Sequence, residues 1–380
     1  MSALSVRIVS KGNDADRGSV SVAILAAGDG TRMRSQRAKP LTKLCGRTMI
    51  DYVLSSLTDL ENLSRVVVVV GHQENLIRQA VLSQFRRPEV EVVFATQSRR
   101  RGTGDALSVA LTRLPDALQS DEPQTLVVLP ADTPLLRAST LSELVSSHRT
   151  SSSAATVLTA RVPNPQGYGR VVRDRHGEID RIVEERDASG EVLLVNEVNT
   201  SCYVFDQAVL GPSLRRLLPA NAQAEYYLTD VIGILRSAGY QVSGFEVDDF
   251  REVSGVNDRL QLAEAEAVLR SRINESWMRR GVTLVDPSST YIDADVEIGV
   301  DTTVWPQTIL GGRTVVGPNS EIGPEVRLVD CHLGVGCTVV RCEGSRAYVG
   351  DEAKVGPYVE LRAGAKVEAG ARVGPFAVVD

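Results

Sequence analysis

Several classes of protein are disfavoured by what this chain lacks. None of its apolar runs is long enough to cross a bilayer, and residues 1–17 have neither the apolar stretch nor the cleavage pattern of a secretory signal. Only 4% of the residues are aromatic and the formal net charge is −6, which disfavours base-stacking platforms and the basic face that nucleic acids require. We therefore expect neither a membrane nor a nucleic acid as a partner.

Cysteine is also scarce. The five cysteines are an odd number at irregular spacing, which does not predict a disulfide framework. A reducing, cytoplasmic location fits this usage. Cys331, Cys337 and Cys342 lie near His332 along the chain, but their spacing does not match paired zinc ligands, so we expect them to be small buried apolar residues.

The length of the chain, 380 residues, predicts two or three domains. Between residues 19 and 250, short apolar runs alternate with amphipathic stretches. Strands are predicted at residues 66–70, 90–94, 125–129 and 155–158, and helices at residues 49–57, 74–83, 104–113 and 139–148. This alternation predicts an α/β fold with a mostly parallel sheet covered on both faces, whose ligands bind at the carboxyl ends of the strands.

A different pattern follows a predicted long connecting helix at residues 257–280. Apolar residues then recur at a step of six, which indicates a β-helix of hexapeptide repeats. They are Ile298, Val304, Leu310, Val316, Ile322 and Leu328, and then Val349, Val355, Leu361, Val367 and Val373. The step slips between Leu328 and Val349, and we expect a loop to protrude around residues 342–347.

A glycine-rich turn is the strongest candidate for a functional site. Residues 25–33, LAAGDGTRM, follow an apolar run at residues 20–25 that predicts a buried strand. Glycines in such a turn let backbone N–H groups approach a phosphate closely, because no Cβ blocks the approach. Arg32 and Lys39 add two cations beside this cradle. The alternative interpretation is a tight strand-to-helix turn with a surface arginine.

Two polar residues could hold a magnesium ion. Asp132 follows the predicted strand at residues 125–129, and Mg²⁺ is usually held by one or two carboxylates plus phosphate oxygens. Asp132 could equally be the N-cap of the helix near Ser139. Asn257 stands where the connecting helix begins, so an N-cap is its default role. A carbonyl ligand to the same Mg²⁺ is the alternative.

Further residues suit a nucleobase and a sugar. Gln97 precedes the basic loop, residues 99–104 (RRRGTG). The amide of Gln97 could read a pyrimidine edge, and Gly102 would let the backbone approach the base. A basic loop at a helix start is the alternative. Gly169 lies in a turn that suits a sugar ring, and Glu184 and Asn199 could bind sugar hydroxyls. Taken singly, each is more often an ordinary polar residue.

An ordered set of motifs carries a family resemblance. They are LAAGDGTRM, KPL, RGTG after Gln97, ADTPLL, GYGR, IVE, NEVNT, NAQAEYYLTD and GVNDR. The set resembles the bifunctional N-acetylglucosamine-1-phosphate uridylyltransferase/glucosamine-1-phosphate acetyltransferases of the GlmU type, particularly actinobacterial members. The resemblance implies a Rossmann-like nucleotidyltransferase (pyrophosphorylase) domain at residues 19–250, a helical linker arm at 251–283 and a left-handed parallel β-helix at 284–380. Residues 1–18 would form a flexible N-terminal extension.

The resemblance also implies a function. UTP and N-acetylglucosamine 1-phosphate would give UDP-N-acetylglucosamine and diphosphate, with Mg²⁺, for cell-wall precursors in the cytoplasm, and the β-helix would form a homotrimer. Carried over by position, Leu25, Ala26, Ala27, Gly28, Gln97, Gly102 and Thr103 would hold the nucleotide. Arg32 and Lys39 would face the triphosphate, Asp132 and Asn257 would ligate Mg²⁺, and Gly169, Glu184, Asn199 and Tyr226 or Tyr227 would line the sugar pocket.

The acetyltransferase half departs from the family pattern. The chain ends at Asp380, before the coils that carry a catalytic histidine in the family, and no histidine follows His332. Arg362 matches a position that contacts the sugar in the acetyl site, but its partners are not in the chain. From this pattern we expect acetyltransferase activity to be absent.

The nucleotide pocket departs from the pattern too. Pro130 and Ala131 precede Asp132, and Arg100 and Asp105 replace a usual glutamine and histidine. The KPL motif is closer to that of hexose-1-phosphate thymidylyltransferases. One alternative is therefore a related enzyme that uses dTTP or another sugar 1-phosphate. A second, non-enzymatic alternative is a nucleotide-sugar-binding β-helix subunit that regulates a partner.

Overall fold

The structure, a computed structural model, describes residues 18–28, 30–117 and 123–380. The predicted extension at residues 1–18 therefore lies outside the described residues except for its last one. The chain divides into two compact units. Of the described residues, the first contains 18–28, 30, 38–40, 53–117 and 123–255, and the second contains 31–37, 41–52 and 256–380. The domain boundaries expected from the sequence stay predictions.

The strands before residue 250 include all five that the apolar runs predicted. They are β1 (Ser19–Leu25), β2 (Lys43–Leu44), β3 (Arg47–Thr48), β4 (Leu63–Val70), β5 (Glu91–Thr96), β6 (Gln124–Pro130), β7 (Ala155–Arg161), β8 (Arg170–Arg173), β9 (Ile179–Val183), β10 (Glu197–Asp206) and β11 (Val242–Glu246). The helices are α1 (Met49–Ser55), α2 (Glu74–Gln84), α3 (Thr103–Leu111), α4 (Ala138–Ser151), α5 (Gln207–Leu214) and α6 (Asp230–Ser237). The four predicted helices correspond to α1–α4.

The sheet of the first unit is mixed but parallel at its centre. Its order is β11-β7-β10-β6-β1-β4-β5, with β8 and β9 attached to β10. β1 runs parallel to both β4 and β6, whereas β10 is antiparallel to its neighbours. The central strands are near-continuous apolar runs because both faces are covered, as parallel sheets require. The carboxyl ends of β1, β4, β5 and β6 therefore lie along one edge of the sheet.

The second unit contains the predicted connecting helix and the β-helix. Helix α7 (Arg259–Arg279) is followed by short strands in three parallel sheets within residues 283–379. The first sheet comprises β12 (Thr283–Leu284), β15 (Thr303–Val304), β18 (Glu321–Ile322), β21 (Thr338–Val339), β24 (Lys354–Val355) and β27 (Arg372–Val373). The second comprises β13 (Tyr291–Ile292), β16 (Ile309–Gly311), β19 (Arg327–Val329), β22 (Cys342–Ser345), β25 (Val359–Leu361) and β28 (Val378–Val379). The third comprises β14 (Glu297–Ile298), β17 (Val315–Val316), β20 (His332–Leu333), β23 (Tyr348–Val349) and β26 (Lys366–Val367). This arrangement fits the predicted left-handed β-helix.

The six-residue pattern corresponds to the core of the β-helix. The predicted apolar residues from Ile298 to Val367 are buried, and Cys331, Cys337 and Cys342 are buried among them. All five cysteines of the chain, each in the described part, are free thiols. Among the described residues, none of the helices is both long and apolar enough to span a membrane.

The protruding loop predicted around residues 342–347 is wrong. Residues 342–345 form strand β22, which pairs with β19 and β25. The slip in the six-residue step comes from shorter coils, since the partner of Leu310 is Leu328, 18 residues on, but the partner of Leu328 is Gly344, 16 residues on. A Cβ on Gly344 would lie 2.9 Å from Leu328 Cδ2 and 3.2 Å from Leu361 Cβ. The coil is therefore two residues shorter, and a glycine takes the interior position between Leu328 and Leu361.

Replacing Gly344 by valine should destabilise the β-helix. The added side chain would overpack the interior between Leu328 and Leu361, at a cost of about 1–3 kcal/mol in the free energy of unfolding. Chemical denaturation measures this. Gly374→Val is the matched control, because among the described residues a Cβ there would meet nothing within 4 Å. Equal stability of the two variants would contradict the tight-coil explanation.

Candidate active site

The loops that follow β1 and β6 leave the sheet side by side. The two strands pair in register as far as Leu25 opposite Pro130. The Ala131 N–H donates to the Leu25 carbonyl at 3.1 Å, and the Ala26 N–H donates to the Val69 carbonyl at 2.9 Å. The glycine-rich turn and the segment that carries Asp132 are thus held at one edge by backbone hydrogen bonds.

Lys39 and Asp132 form an ion pair at this edge. Lys39 lies in a short 3₁₀ turn, Lys39–Leu41, and its ammonium contacts Asp132 Oδ2. Their side chains are 10% and 26% exposed, so the pair is only partly open to solvent. Helix α4 begins at Ala138 and its N-cap is Arg137, which excludes the alternative that Asp132 caps this helix. The structure therefore brings a predicted triphosphate cation against a predicted metal ligand.

The two glycines of the turn have different roles. Gly30 has φ 59°, and a Cβ there would lie 2.6 Å from Lys39 Cβ, so the protein itself requires a glycine. Gly28 has a φ outside the left-handed region, and among the described residues a Cβ there would meet nothing within 4 Å. The fold therefore gives no steric reason for a glycine at position 28, and open space lies in front of it.

Gln97 continues the edge of the sheet beyond β5. Its N–H donates to the Val70 carbonyl at 2.8 Å, and its side chain is buried. The side-chain Nε2 donates to the Gly102 carbonyl at 3.2 Å and to Asp105 Oδ2 at 2.8 Å. Gln97 is therefore held by the basic loop and by the first turn of α3.

The basic loop is joined to the segment that contains Tyr226. Tyr226 N–H donates to the Arg101 carbonyl at 2.6 Å, and Gly104 N–H donates to the Tyr226 carbonyl at 2.8 Å. The Thr103 hydroxyl accepts from the Leu228 N–H at 3.0 Å. Gly102 has φ 103°, and a Cβ there would lie 2.5 Å from the Tyr226 carbonyl oxygen. Gly102 is thus required by this close approach of two backbone segments.

Three predicted sugar-binding residues lie together. The Asn199 N–H donates to the Gly169 carbonyl at 2.9 Å. A Cβ on Gly169 would lie 3.5 Å from Glu184 Oε2 and 3.6 Å from Asn199 Cβ. Gly169 therefore lies beside the Glu184 carboxylate and the Asn199 side chain, and Ile182 Cγ2 is 3.3 Å from the same Cβ position.

The two tyrosines of the YYLTD motif differ in their surroundings. Tyr226 packs against the hydrophobic core of the first unit. Burial, with help from the charges of Asp187 and Glu184, raises the pKa of Tyr227 to about 12. Burial also raises the pKa of Glu184, which accepts a hydrogen bond from the Thr229 hydroxyl at 3.0 Å. Tyr227 therefore shares the electrostatic environment of Glu184.

Arg32 and Asn257 form a pair within the second unit. Arg32 Nη2 donates to Asn257 Oδ1 at 2.9 Å, across 225 positions of sequence. The N-cap of α7 is Asp258, whose side chain accepts from the Gln261 N–H at 2.9 Å. The default N-cap role for Asn257 is therefore wrong, and its side chain contacts a predicted triphosphate-binding cation instead.

Comparison with known proteins identifies the family. A MobA-like NTP transferase domain matches residues 22–198. The bifunctional protein GlmU of Shouchella clausii is 41% identical over 353 residues, which cover 93% of this chain and 75% of that protein. GlmU of Mycolicibacterium vanbaalenii is 44% identical over 356 residues, covering 94% and 71%. GlmU of Mycobacterium tuberculosis is 44% identical over 364 residues, covering 95% and 72%.

The chain belongs to the GlmU family. The family resemblance inferred from the motifs is confirmed, and so are the nucleotidyltransferase domain and the parallel β-helix that follows it. As a GlmU family member with an NTP transferase domain, the protein is a nucleotidyltransferase, and the non-enzymatic alternative is set aside.

Two residues that contact candidate site residues were missed in the sequence. Thr229 donates a hydrogen bond to Glu184. It belongs to the YYLTD motif, in which the sequence predicted a role only for the tyrosines. Asp105 accepts a hydrogen bond from Gln97. In the sequence it was noted only because it replaces the usual histidine of the family. Its position one turn into α3, eight residues after Gln97, could have suggested the contact.

Alanine substitutions at Gly28 and Gly102 should affect different properties of the protein. Gly102→Ala should lower the free energy of unfolding by about 1–3 kcal/mol, because a side chain is strained at φ 103°. Gly28→Ala should leave stability within about 0.5 kcal/mol yet lower diphosphate release at least tenfold, because its Cβ would block the approach of a phosphate to the backbone. Denaturation and turnover assays measure the two effects. Full activity in Gly28→Ala would contradict the phosphate-cradle interpretation.

Proposed function

We propose that this GlmU family member transfers a uridylyl group from UTP to N-acetylglucosamine 1-phosphate, with release of diphosphate. The observation that carries the proposal is the Lys39–Asp132 pair beside a glycine turn at the carboxyl edge of the sheet. Ligands of open α/β sheets bind at this edge. The identity of the sugar and of the base rests on the family resemblance.

On the nucleotide side, the proposal assigns the phosphates to the turn after β1. The open space in front of Gly28 supports a close backbone approach. Leu25, Ala26 and Ala27 lead into this turn, and their backbone groups would complete the nucleotide site. Gln97 would face the base.

We propose that Asp132 supplies a carboxylate ligand for Mg²⁺. The fit is chemical, since its carboxylate is a hard anionic oxygen donor, partly exposed, at the end of β6. It already faces one positive charge, that of Lys39. The resemblance adds Asn257 as a second ligand; this residue belongs to the second unit, and its role stays a prediction. When bound, the ion would neutralise charge on the phosphate oxygens.

On the sugar side, the proposal assigns the sugar hydroxyls to the group formed by Gly169, Glu184 and Asn199, whose carboxylate and amide would supply acceptors and donors. Tyr227 shares the electrostatic environment of Glu184 and would also contact the sugar. Tyr226 would contribute through its backbone, which forms hydrogen bonds with the basic loop. Positioning of this kind lowers the entropic cost of bringing two substrates together.

The chemistry requires little beyond positioning and charge. An oxygen of the sugar 1-phosphate attacks the α-phosphorus of UTP in line. The new P–O bond forms as the bond to the bridging oxygen breaks, and diphosphate leaves with that electron pair. The attacking phosphate is already ionised near neutral pH, so a general base is not needed. Lys39 would neutralise the charge that spreads over the phosphoryl oxygens. The resemblance adds Arg32, which belongs to the second unit and whose role stays a prediction.

Four further expectations remain predictions. They are the homotrimer, the cytoplasmic location, the role in cell-wall precursor synthesis and the absence of acetyltransferase activity. Arg362, the residue that matches an acetyl-site position, forms ion pairs with Glu360 and Asp380 in this structure. A specific sequence feature, the KPL motif of the turn at Lys39–Leu41, favours a thymidylyltransferase as the second candidate function.

A substrate panel tests the proposed function. Diphosphate release would be measured with UTP, dTTP and CTP, each paired with N-acetylglucosamine 1-phosphate, glucosamine 1-phosphate and glucose 1-phosphate. We expect the highest kcat/KM for UTP with the N-acetylated sugar, by about tenfold or more, and loss of turnover when EDTA removes the metal. A strong preference for dTTP, or for a different sugar, would contradict the proposal and favour the second candidate.

A further inference from the structure

The side chain of Gln97 has both of its donor directions occupied by the protein. Its Nε2 donates to the Gly102 carbonyl at 3.2 Å and to Asp105 Oδ2 at 2.8 Å. A carbonyl oxygen and a carboxylate oxygen both accept hydrogen bonds and neither can donate one. The nitrogen of the amide must therefore point toward these two groups, and the side-chain oxygen Oε1 is the atom that Gln97 can offer to a ligand.

We propose that Asp105 is a positioning residue that fixes the orientation of the Gln97 amide and thereby selects a pyrimidine with an N3–H. This inference rests on the proposed function, in which Gln97 faces the base. Uracil and thymine carry a donor at N3, which suits the Oε1 acceptor. Cytosine carries an acceptor at N3, so the two lone pairs would face each other.

The selectivity depends on the cost of turning the amide over. To serve cytosine, Gln97 would present Nε2 to the base and place Oε1 against Gly102 O and the carboxylate of Asp105. That arrangement would place hydrogen-bond acceptors against each other at a buried side chain. Buried polar groups left without a hydrogen-bond partner cost the free energy of their desolvation. The negative charge of Asp105 strengthens the bond in the observed orientation and the repulsion in the reversed one.

A purely structural role for Asp105 is the competing explanation. The residue lies in the first turn of α3, where a carboxylate interacts favourably with the helix dipole. That role would reduce stability when the charge is removed, but it would leave the choice of base unchanged. The selectivity between bases therefore separates the two explanations.

The test is isothermal titration calorimetry with UTP and with CTP, in MgCl₂ and without a sugar phosphate. In Asp105→Asn the new amide can donate as well as accept, so the Gln97 amide can turn over. We expect the ratio of Kd for CTP to Kd for UTP to fall about tenfold or more, mainly because CTP binds more tightly. Asp105→Glu keeps an acceptor and should retain most of the wild-type ratio.

Asp59→Asn is the matched control. It removes the same charge from an exposed residue before β4, at the opposite end of the strands, and should leave the ratio unchanged. A wild-type ratio in folded Asp105→Asn would overturn the proposal. Because the titration contains no sugar phosphate and produces no turnover, this result is read separately from the substrate panel. A panel that favours another sugar, or dTTP, would refute the proposed function and leave the role of Asp105 standing.

Discussion

The parallel pairing of β1 with β6 is the constraint on which the site depends. Because Leu25 stands opposite Pro130, 105 positions later in the sequence, the turn after β1 and the segment with Asp132 must leave the sheet side by side. The backbone bond from Ala131 to Leu25 extends this pairing beyond the last strand residue. The ion pair between Lys39 and Asp132 then links the segment after the turn to the segment after β6. An error of register in these two strands would separate the charges that the proposed reaction needs.

A second constraint joins the base side to the sugar side. The basic loop and the Tyr226 segment exchange backbone hydrogen bonds, and the hydroxyl of Thr103 accepts another from Leu228. Two residues after Leu228 along the chain, helix α6 begins, and Thr229 between them bonds the carboxylate of Glu184. Residues 226–229 thus contact both the loop that holds Gln97 and a residue proposed to bind the sugar. This continuity gives a physical reason why base and sugar recognition would depend on one another.

Much of the fold could be predicted from the sequence because its periods are clear. The apolar runs of the central strands and the six-residue step of the β-helix depend on local pattern, and both were confirmed. The tight coil at Gly344 could not be predicted, because a missing apolar residue in a repeat is equally compatible with a loop. At Asn257 the helix-start rule pointed to the wrong residue by one position, since Asp258 is the cap. The difference between Gly28 and Gly102 was also invisible, because the letter is the same and only the neighbouring backbone distinguishes them. Contacts between residues far apart in the sequence, such as that of Thr229 with Glu184, could not be predicted without the fold.

The central claim is that the edge formed by β1 and β6 is a single metal-dependent nucleotide site. A crystal structure of the protein soaked with UTP and Mn²⁺ tests it most directly, because manganese is located by its anomalous signal. The account predicts a manganese ion bound directly to a carboxylate oxygen of Asp132, with a phosphate of UTP against the backbone at Gly28. A nucleotide bound elsewhere, or a metal peak remote from Asp132, would contradict it.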